Sequence, residues 1–586
     1  MKITFKFIFL AIFSTISISA QNSVEGELAM TKRKDWNARE PIMEMKPHKP
    51  QFITIHHTGM PQKPEITTIE KLQALQNFSQ KDSPLANGSI KKAWADVPYH
   101  FYISTNGDIA EGRDINFQGD SNTNYDLEGH VLIVVEGDFS EEKVLPQQWK
   151  SLQKLVSYIS SAYNISRETI SGHKDQAETS CPGTDLYQKL PLLKLENRVK
   201  IGAERLFEKE FFDLIKNKKI GLVTNHTGIL PGGEHLVDLL HENSKTTLSV
   251  LFGPEHGIRG EEDTHVSDSK DSKTGVPVIS LYGKVRKPTP EMLKNTEILI
   301  FDIQDIGARF YTYIKTMLLA LEAAAENDIP FIVLDRPNPI LGNYIDGPVG
   351  KSGEPVTKIK NLPITHGMTV GELAKMFNEE RKKQNLPFAN LKVIPLTNYS
   401  HKKWYDETGL PWIKPSPNML KLTTATLYPA TCLLEGTNVS EGRGTLSPFE
   451  YIAAPWINPE ELINQLKTYH LEGVTFQATK ITPQQMVDGI EIYPPKFMNQ
   501  EIPAVEIILT HRNKFKSVEA GVYFLHALKT LYPEELVWRE KRLDGLLKTK
   551  SIREALDTGK HPKEIIRNWQ EDLEFFKKIR AKYLLY

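Results

Sequence analysis

Cysteine is nearly missing from this chain: 586 residues carry only Cys181 and Cys432. Two thiols cannot supply the disulfide framework of a small stapled scaffold. An excess of one charge is missing too. Lys and Arg total 72 against 73 Asp and Glu, a net charge of −1, so the chain lacks the basic field of a general nucleic-acid binder. Beyond the first twenty residues no apolar run approaches the ~18 residues that cross a bilayer. The phosphate-cradling patterns G-x-G-x-x-G and G-x-x-x-x-G-K-[ST] are also absent, which leaves nucleotide binding without a motif. What remains is an ordinary globular composition, 40% hydrophobic and 25% charged. It excludes wholesale disorder, and at roughly 150 residues per domain the length predicts several domains.

The N-terminus reads as an export signal over 1–20. Lys2 and Lys6 precede a mostly apolar stretch, and the small residues Ser19 and Ala20 offer a cleavage site. No Cys follows to accept a lipid. A polar, proline-containing lead-in covers 21–50. From 51 to about 195 the pattern predicts one unit, with strand-like runs FITIHHTG at 52–59, YHFYIS at 99–104 and HVLIVVEGDF at 130–139. Pro146 then opens a helix whose apolar face carries Trp149, Leu152, Val156, Ile159 and Tyr163.

Near Val199 the texture changes. Apolar runs at 219–224, 248–253, 297–303 and 330–335 alternate with helical stretches such as 311–326, which predicts a parallel α/β sheet over 196–400. Beyond about 345 the chain reads as proline-rich and irregular. A smaller C-terminal α+β domain is expected over 401–586, ending in helices at 518–531 and 562–583. Ile566, Trp569, Leu573, Phe576 and Tyr583 form an apolar stripe on the latter, read as core packing.

Two constellations carry chemistry. In the first, His56 ends a strand run, and His173 and Cys181 stand eight residues apart in SGHKDQAETSCPG at 171–183. Imidazole and thiolate suit Zn²⁺, and a catalytic zinc keeps three protein ligands and one open position. Each residue alone has a plain structural reading, as do His57, His100 and His130 nearby. Together with PYHFYIS, NGDIAEGRD, VEGDF, GHKD and SCPG, in order across 51–190, the set resembles the zinc N-acetylmuramoyl-L-alanine amidases of the peptidoglycan-recognition and phage-lysozyme type. The resemblance implies a mixed central sheet with flanking helices and the zinc ligands His56, His173 and Cys181. It also implies that Tyr99 hydrogen-bonds the oxyanion or the metal-bound water, that Thr179 takes a position held by Lys or Thr, and that Glu136 assists as a base. Between Gly119 and Gly129, where relatives often carry a His, this chain has none.

In the second, every apolar run of the parallel-sheet region is followed by polar residues: Asn225 and His226; Glu255 and His256; Asp302, Gln304 and Asp305; Asp335, Arg336 and Asn338. Ligands of open parallel sheets bind beyond the strands' carboxyl ends, and paired carboxylates there suit glycoside hydrolysis. A metal held by His226, His256 and His265 lacks a spacing signature. The blocks GLVTNHTG, LFGPEHGIRG, SLYG, DIQDIGARFYTY, LDRPNP and LLEGTNVSEGRGT, in order over most of 200–450, resemble the exo-acting β-N-acetylmuramidases of the NamZ type. That resemblance implies a Rossmann-like portion joined to a smaller C-terminal domain and makes Glu255 the catalytic acid; Asp302 and Asp305, read from the strand ends, are the further carboxylates. It implies no cofactor for this half. Asn225, His256 and Asn438 are expected on the sugar. An Arg fork is expected on the lactyl carboxylate of N-acetylmuramic acid, from Arg259, Arg309, Arg336 or Arg443.

The reading is an exported two-enzyme peptidoglycan hydrolase whose partner is the cell-wall polymer and its muramic-acid fragments. The alternatives are a wall-binding protein with one active half, or an endo-acting second half.

Overall fold

Which face each strand residue takes determines where the cores lie. The computed structural model describes residues 28–84, 90–163, 165–194, 198–254, 257–259, 269–283, 285–350 and 362–586, and the chain divides into two units between Gln188 and Lys189.

The first unit contains β1 (Phe52–His57), α1 (Thr68–Ser79), β2 (Phe101–Ile103), β3 (Ile109–Glu111), β4 (His130–Val135), α2 (Pro146–Tyr163) and β5 (Ile170–Gly172). Its sheet runs β3-β2-β4-β1-β5, parallel except for the β2–β3 hairpin. A parallel central strand covered on both faces is apolar throughout, and β4 is buried along its whole length. The expected run to 139 stops at Val135, because the chain turns at Gly137 with φ of 144°. A capping box starts α1: Thr67 accepts the Glu70 N–H, and the Glu70 carboxylate accepts that of Thr67. Trp149, Leu152, Leu155, Val156 and Ile159 of α2 are buried, whereas Tyr163, expected on the same face, is exposed at the helix end.

The second unit begins with β6 (Lys219–Thr224), α3 (Leu236–Glu242), β7 (Thr247–Gly253), β8 (Ser269–Lys270), β9 (Pro277–Ser280), β10 (Ile298–Asp302), α4 (Tyr313–Glu326), β11 (Phe331–Leu334), α5 (Val370–Lys383) and β12 (Leu391–Ile394). These strands form one sheet, β8-β9-β7-β6-β10-β11-β12, parallel except for β8 at the edge. Period-two alternation sends Val223, Phe252, Leu299, Phe301, Phe331 and Val333 into one core with α4 and α5. Ile220, Leu222, Ile298, Ile300, Ile332 and Leu334 go into a second core under α3. This two-sided burial makes each strand read as a continuous apolar run. From β6 the order grows outward through β7 and β9, then returns to the other side of β6 with β10. The carboxyl ends of β6 and β10 are therefore the topological switch point where such sheets bind ligands.

The region after 345 is more regular than its composition suggests. The capping box Thr369/Glu372 starts α5, and β12 is an edge strand with only Ile394 buried, too weakly patterned to stand out. After α6 (Leu422–Thr431) come β13 (Tyr451–Ala453), α7 (Pro459–Lys467), β14 (Val474–Ile481), β15 (Ile502–Leu509) and α8 (Ser517–Leu531). The three strands form an antiparallel sheet ordered β13-β15-β14. The tail is two helices, α9 (Pro562–Arg567) and α10 (Gln570–Arg580), broken at Trp569. There the indole N–H donates 3.1 Å to Asp346 Oδ1. All five stripe residues are buried. Among the described residues no helix is long and apolar enough to cross a membrane.

Candidate active sites

In the first unit the β1–β5 ladder pairs Ile55 with Gly172, so the next residue along each segment, His56 and His173, comes to the carboxyl end of the strands. The ring centroids are 4.5 Å apart. Cys181 follows a turn in which Thr179 Oγ1 accepts the Cys181 N–H at 3.2 Å and the Lys174 N–H reaches the Cys181 carbonyl at 2.8 Å. One donor atom from each of the three lies within 4.8 Å of the others, and His56 Nδ1 is 3.7 Å from Cys181 Sγ. Tetrahedral zinc with N and S ligands sets donors about 3.3–3.6 Å apart. The donor set and its spacing therefore fit a zinc-type ion, with no fourth protein ligand among the described residues. Burial, then the neighbouring His173, holds His56 well below the usual imidazole range. Burial, then His57, lowers His173 to about 4. Both imidazoles are thus neutral and have a lone pair to offer. Burial pushes the Cys181 thiol up to about 12, and a bound cation would favour its thiolate.

Tyr99 stands beside the set, its ring 5.2 Å from that of His56, and burial raises its hydroxyl above the usual phenol value. It stays protonated and can donate. The other histidines have structural duties. His100 bridges the Leu132 N–H and the Phe117 carbonyl, His130 meets Thr54, and His57 meets the Phe139 N–H. Glu136, expected as a base, accepts from Lys71 Nζ and from the Thr105 and Lys63 N–H groups. These bonds brace the fold around it.

In the second unit Glu255 and His256, with His265, lie outside the described residues. At the switch point, Thr224 Oγ1 donates to the Asp302 carbonyl at 2.9 Å. Asn225 Oδ1 accepts from both N and Oγ1 of Thr227, and Thr227 Oγ1 accepts the Gln304 N–H at 2.9 Å. This network ties the β6 and β10 ends together and leaves three buried polar atoms without partners: Asn225 Nδ2, Gln304 Oε1 and Asp305 Oδ1. The other Asp305 oxygen accepts the Gly307 N–H at 2.7 Å. Burial, only partly offset by that bond and the Ile306 N–H, raises the Asp305 carboxyl to about 7.

Several of the expected charged residues are held by other groups of the protein. Asp302 and Arg336 form a buried two-point pair at 2.6 and 3.0 Å, so each takes up the groups the other was expected to offer a substrate. Arg309, 1% exposed, donates to the carbonyls of Pro348, Leu362 and Leu546. It ties three segments together, which corrects its expected place on the lactyl group. Arg259 is held by Asp271 and Asp238, and Asn438 by the backbone of Glu535 and Val537. Arg443 pairs with Glu435 and Glu441, yet keeps 31% of its side chain exposed. Arg542 and Lys496 complete that cluster. Against the upward push of burial, Arg443 and Arg542 hold Glu435 well below the ordinary carboxylate range.

Thr227, Glu435 and Glu441 were not singled out from the sequence, although N-H-T after a strand and two glutamates six residues apart in a Gly-rich loop were visible. Thr123 and Tyr125, which lie against the zinc-type ligands, carried only an alternating pattern as signal.

Comparison with known proteins agrees with this division. Residues 46–184 match the N-acetylmuramoyl-L-alanine amidase family, 220–423 the N-terminal part of exo-β-N-acetylmuramidase NamZ, and 426–586 its C-terminal part. The peptidoglycan β-N-acetylmuramidase NamZ of Bacillus subtilis is 44% identical over 393 residues, 66% of this chain and 92% of that protein. Peptidoglycan-recognition protein SD of Drosophila melanogaster is 27% identical over 173 residues, 28% of this chain and 86% of its own. The crystal structure of a DUF1343 family protein from Bacteroides fragilis is 37% identical with a TM-score of 0.61, covering 67% of this chain and 100% of that one. The fold, the sites and these relatives together define a peptidoglycan hydrolase in which an amidase-type unit precedes a glycosidase. Within that class the chain belongs to the NamZ family of exo-β-N-acetylmuramidases.

Proposed function

We propose that both units are catalytic, act in sequence, and work outside the cytoplasm. The first unit hydrolyses the bond between the muramoyl lactyl group and L-alanine. The second removes non-reducing-end N-acetylmuramic acid from the stripped glycan. The observation that carries the reading is the convergence of His56, His173 and Cys181 in a chain whose other half is a muramidase. Once the amide is cut, the lactyl group becomes a free carboxylate, the form an arginine fork binds. The basic and apolar segment 1–20 supports export.

In the amidase, His56, His173 and Cys181 would hold a zinc-type ion, which would supply Lewis-acid polarisation of the amide carbonyl and activation of water. Tyr99, kept protonated, donates to the oxygen that gains charge. Thr179 already accepts the Cys181 N–H, so its hydroxyl proton is left for the substrate. In the glycosidase, Glu255 is the acid that protonates the leaving oxygen. Asp305 is the second carboxyl at the strand ends, and Asn225 and Gln304 hydrogen-bond the sugar. Arg443, with an exposed edge, meets the lactyl carboxylate.

The test is product analysis with the purified chain. On intact peptidoglycan it should release L-alanyl peptides first and monomeric N-acetylmuramic acid after a lag. A chelator should stop both on intact wall but spare the second on peptide-free glycan. Equal muramic acid release from intact and stripped glycan would overturn the order, and larger muropeptides as products would overturn exo action.

A further inference from the structure

The segment between β3 and β4 presents alternate residues to the zinc-type ligands. Ser121, Thr123, Tyr125 and Leu127 are half-buried, while Asn122, Asn124, Asp126 and Glu128 are exposed. Two of the inward residues touch ligand rings. Thr123 Oγ1 lies 2.5 Å from His173 Nε2, and Tyr125 Oη lies 3.5 Å from His56 Nε2. The Tyr125 ring also packs 5.2 Å from the His173 ring and meets His130 edge-on at 5.7 Å. Ser121 Oγ stands 2.7 Å from Thr123 Oγ1 and accepts the Thr123 N–H at 3.1 Å.

We propose that Thr123, backed by Ser121, and more weakly Tyr125, are the outer-sphere positioning residues of the metal centre. They hold each histidine by the ring nitrogen that faces away from the ion. This rests on the zinc reading above. For His56 the atom assignment follows from the geometry, and for His173 it is part of the proposal. His56 Nδ1 faces Cys181 Sγ at 3.7 Å, so its inner nitrogen is Nδ1 and Tyr125 is on the outer one. For His173 the same choice puts Nε2–H toward Thr123 Oγ1, with the Thr123 hydroxyl in turn donating to Ser121 Oγ. The reverse direction, Thr123 donating to Nε2, would leave the proton on Nδ1 and no lone pair for an ion. A hydrogen bond at the far nitrogen fixes both tautomer and ring orientation, and losing such a partner typically weakens metal binding about 10–100-fold. A hydroxyl chain does this here, with neutral partners in place of a carboxylate.

The experiment measures zinc affinity of the full chain by competition with a chromogenic chelator, together with the visible spectrum of the Co²⁺ form. Thr123→Val, isosteric but without the hydroxyl, should bind zinc about 10–100-fold more weakly, keep the melting temperature of the metal-free chain, and still give a four-coordinate Co²⁺ spectrum. Thr123→Ser should restore affinity. Tyr125→Phe should lose less than about tenfold, since 3.5 Å is the outer limit of a hydrogen bond. Thr123→Val affinity within about threefold of wild type overturns the proposal. So does tighter binding, which would put the hydroxyl where the ion belongs. A parallel fall in the metal-free melting temperature, or no rescue by Ser, assigns Thr123 to loop packing. Failure of the wild-type chain to bind zinc overturns the zinc reading itself, and this inference with it.

Discussion

The two units build their sites in opposite ways. In the first, three residues from two distant segments meet with their donor atoms close together and no charge among them. Burial keeps both imidazoles neutral and the Cys181 thiol protonated. Such a set of neutral donors suits a cation. In the second, charge is plentiful and almost all of it is closed into pairs: Asp302 with Arg336, Asp271 and Asp238 with Arg259, Glu435 and Glu441 with Arg443. A charged residue there is more often a brace than a ligand group. The strand ends of β6 and β10 carry instead polar atoms without partners, on Asn225, Gln304 and Asp305. A site is better found by what its own fold leaves unsatisfied than by where the charges are.

Four experiments sharpen or break that contrast. The largest effect belongs to the proposed metal ligands. His173→Ala should abolish stoichiometric zinc and amidase turnover while leaving muramic acid release from peptide-free glycan intact. Retained zinc by metal analysis, or loss of both activities, would collapse the distinction between the units. Glu255→Gln keeps the shape of the expected acid but cannot supply its proton, so glycosidase kcat should fall about 10²–10⁴-fold with little change in binding. The loss should be smaller on a nitrophenyl glycoside, whose leaving group needs no proton. Near-normal turnover on the natural disaccharide would move the role to Asp305.

Asp302→Ala tests whether a saturated pair is a brace. It leaves the Arg336 guanidinium buried and unpaired, which typically costs about 3–5 kcal/mol. The second unit's melting transition should drop sharply while zinc binding in the first is untouched. A shift under about 2 °C, with a specific loss of glycosidase activity, would restore Asp302 to the catalytic candidates. The smallest effect is the pH response of Asp305. Its folded-state value of about 7 lies above the roughly 3.9 of an unfolded Asp, so the native state holds the extra proton. The stabilisation is complete below about pH 4 and is lost as pH rises through 7. Asp305→Asn should flatten that part of the stability–pH curve, leaving the share from Asp335, which burial also raises to about 7. An unchanged slope in chemical denaturation between pH 5 and 8 would mean that Asp305 is ionised in the fold and that its unpartnered oxygen is solvated.

Much of this was legible beforehand. The meeting of His56, His173 and Cys181 was implied by the resemblance of their motifs, and the parallel strands of the second unit followed from local apolar runs, because a doubly covered strand must be apolar along its length. The weakly patterned edge strand β12 and the break at Trp569 were not legible, since each is set by contacts remote in sequence: Ile394 enters the core beneath α3, and the Trp569 indole reaches Asp346.

Which residue types stand at the strand ends is readable along the chain, and with it the chemistries open to each unit. Packing sets which of them are at liberty to act. A lone Arg309 in a motif reads as a substrate fork, but in the fold its guanidinium N–H groups meet carbonyls 39, 53 and 237 residues away. Thr123 reads as a loop residue until folding places it 2.5 Å from His173. Hydrogen bonds and ion pairs act over a few ångströms, and those distances between remote segments exist only once the chain has packed.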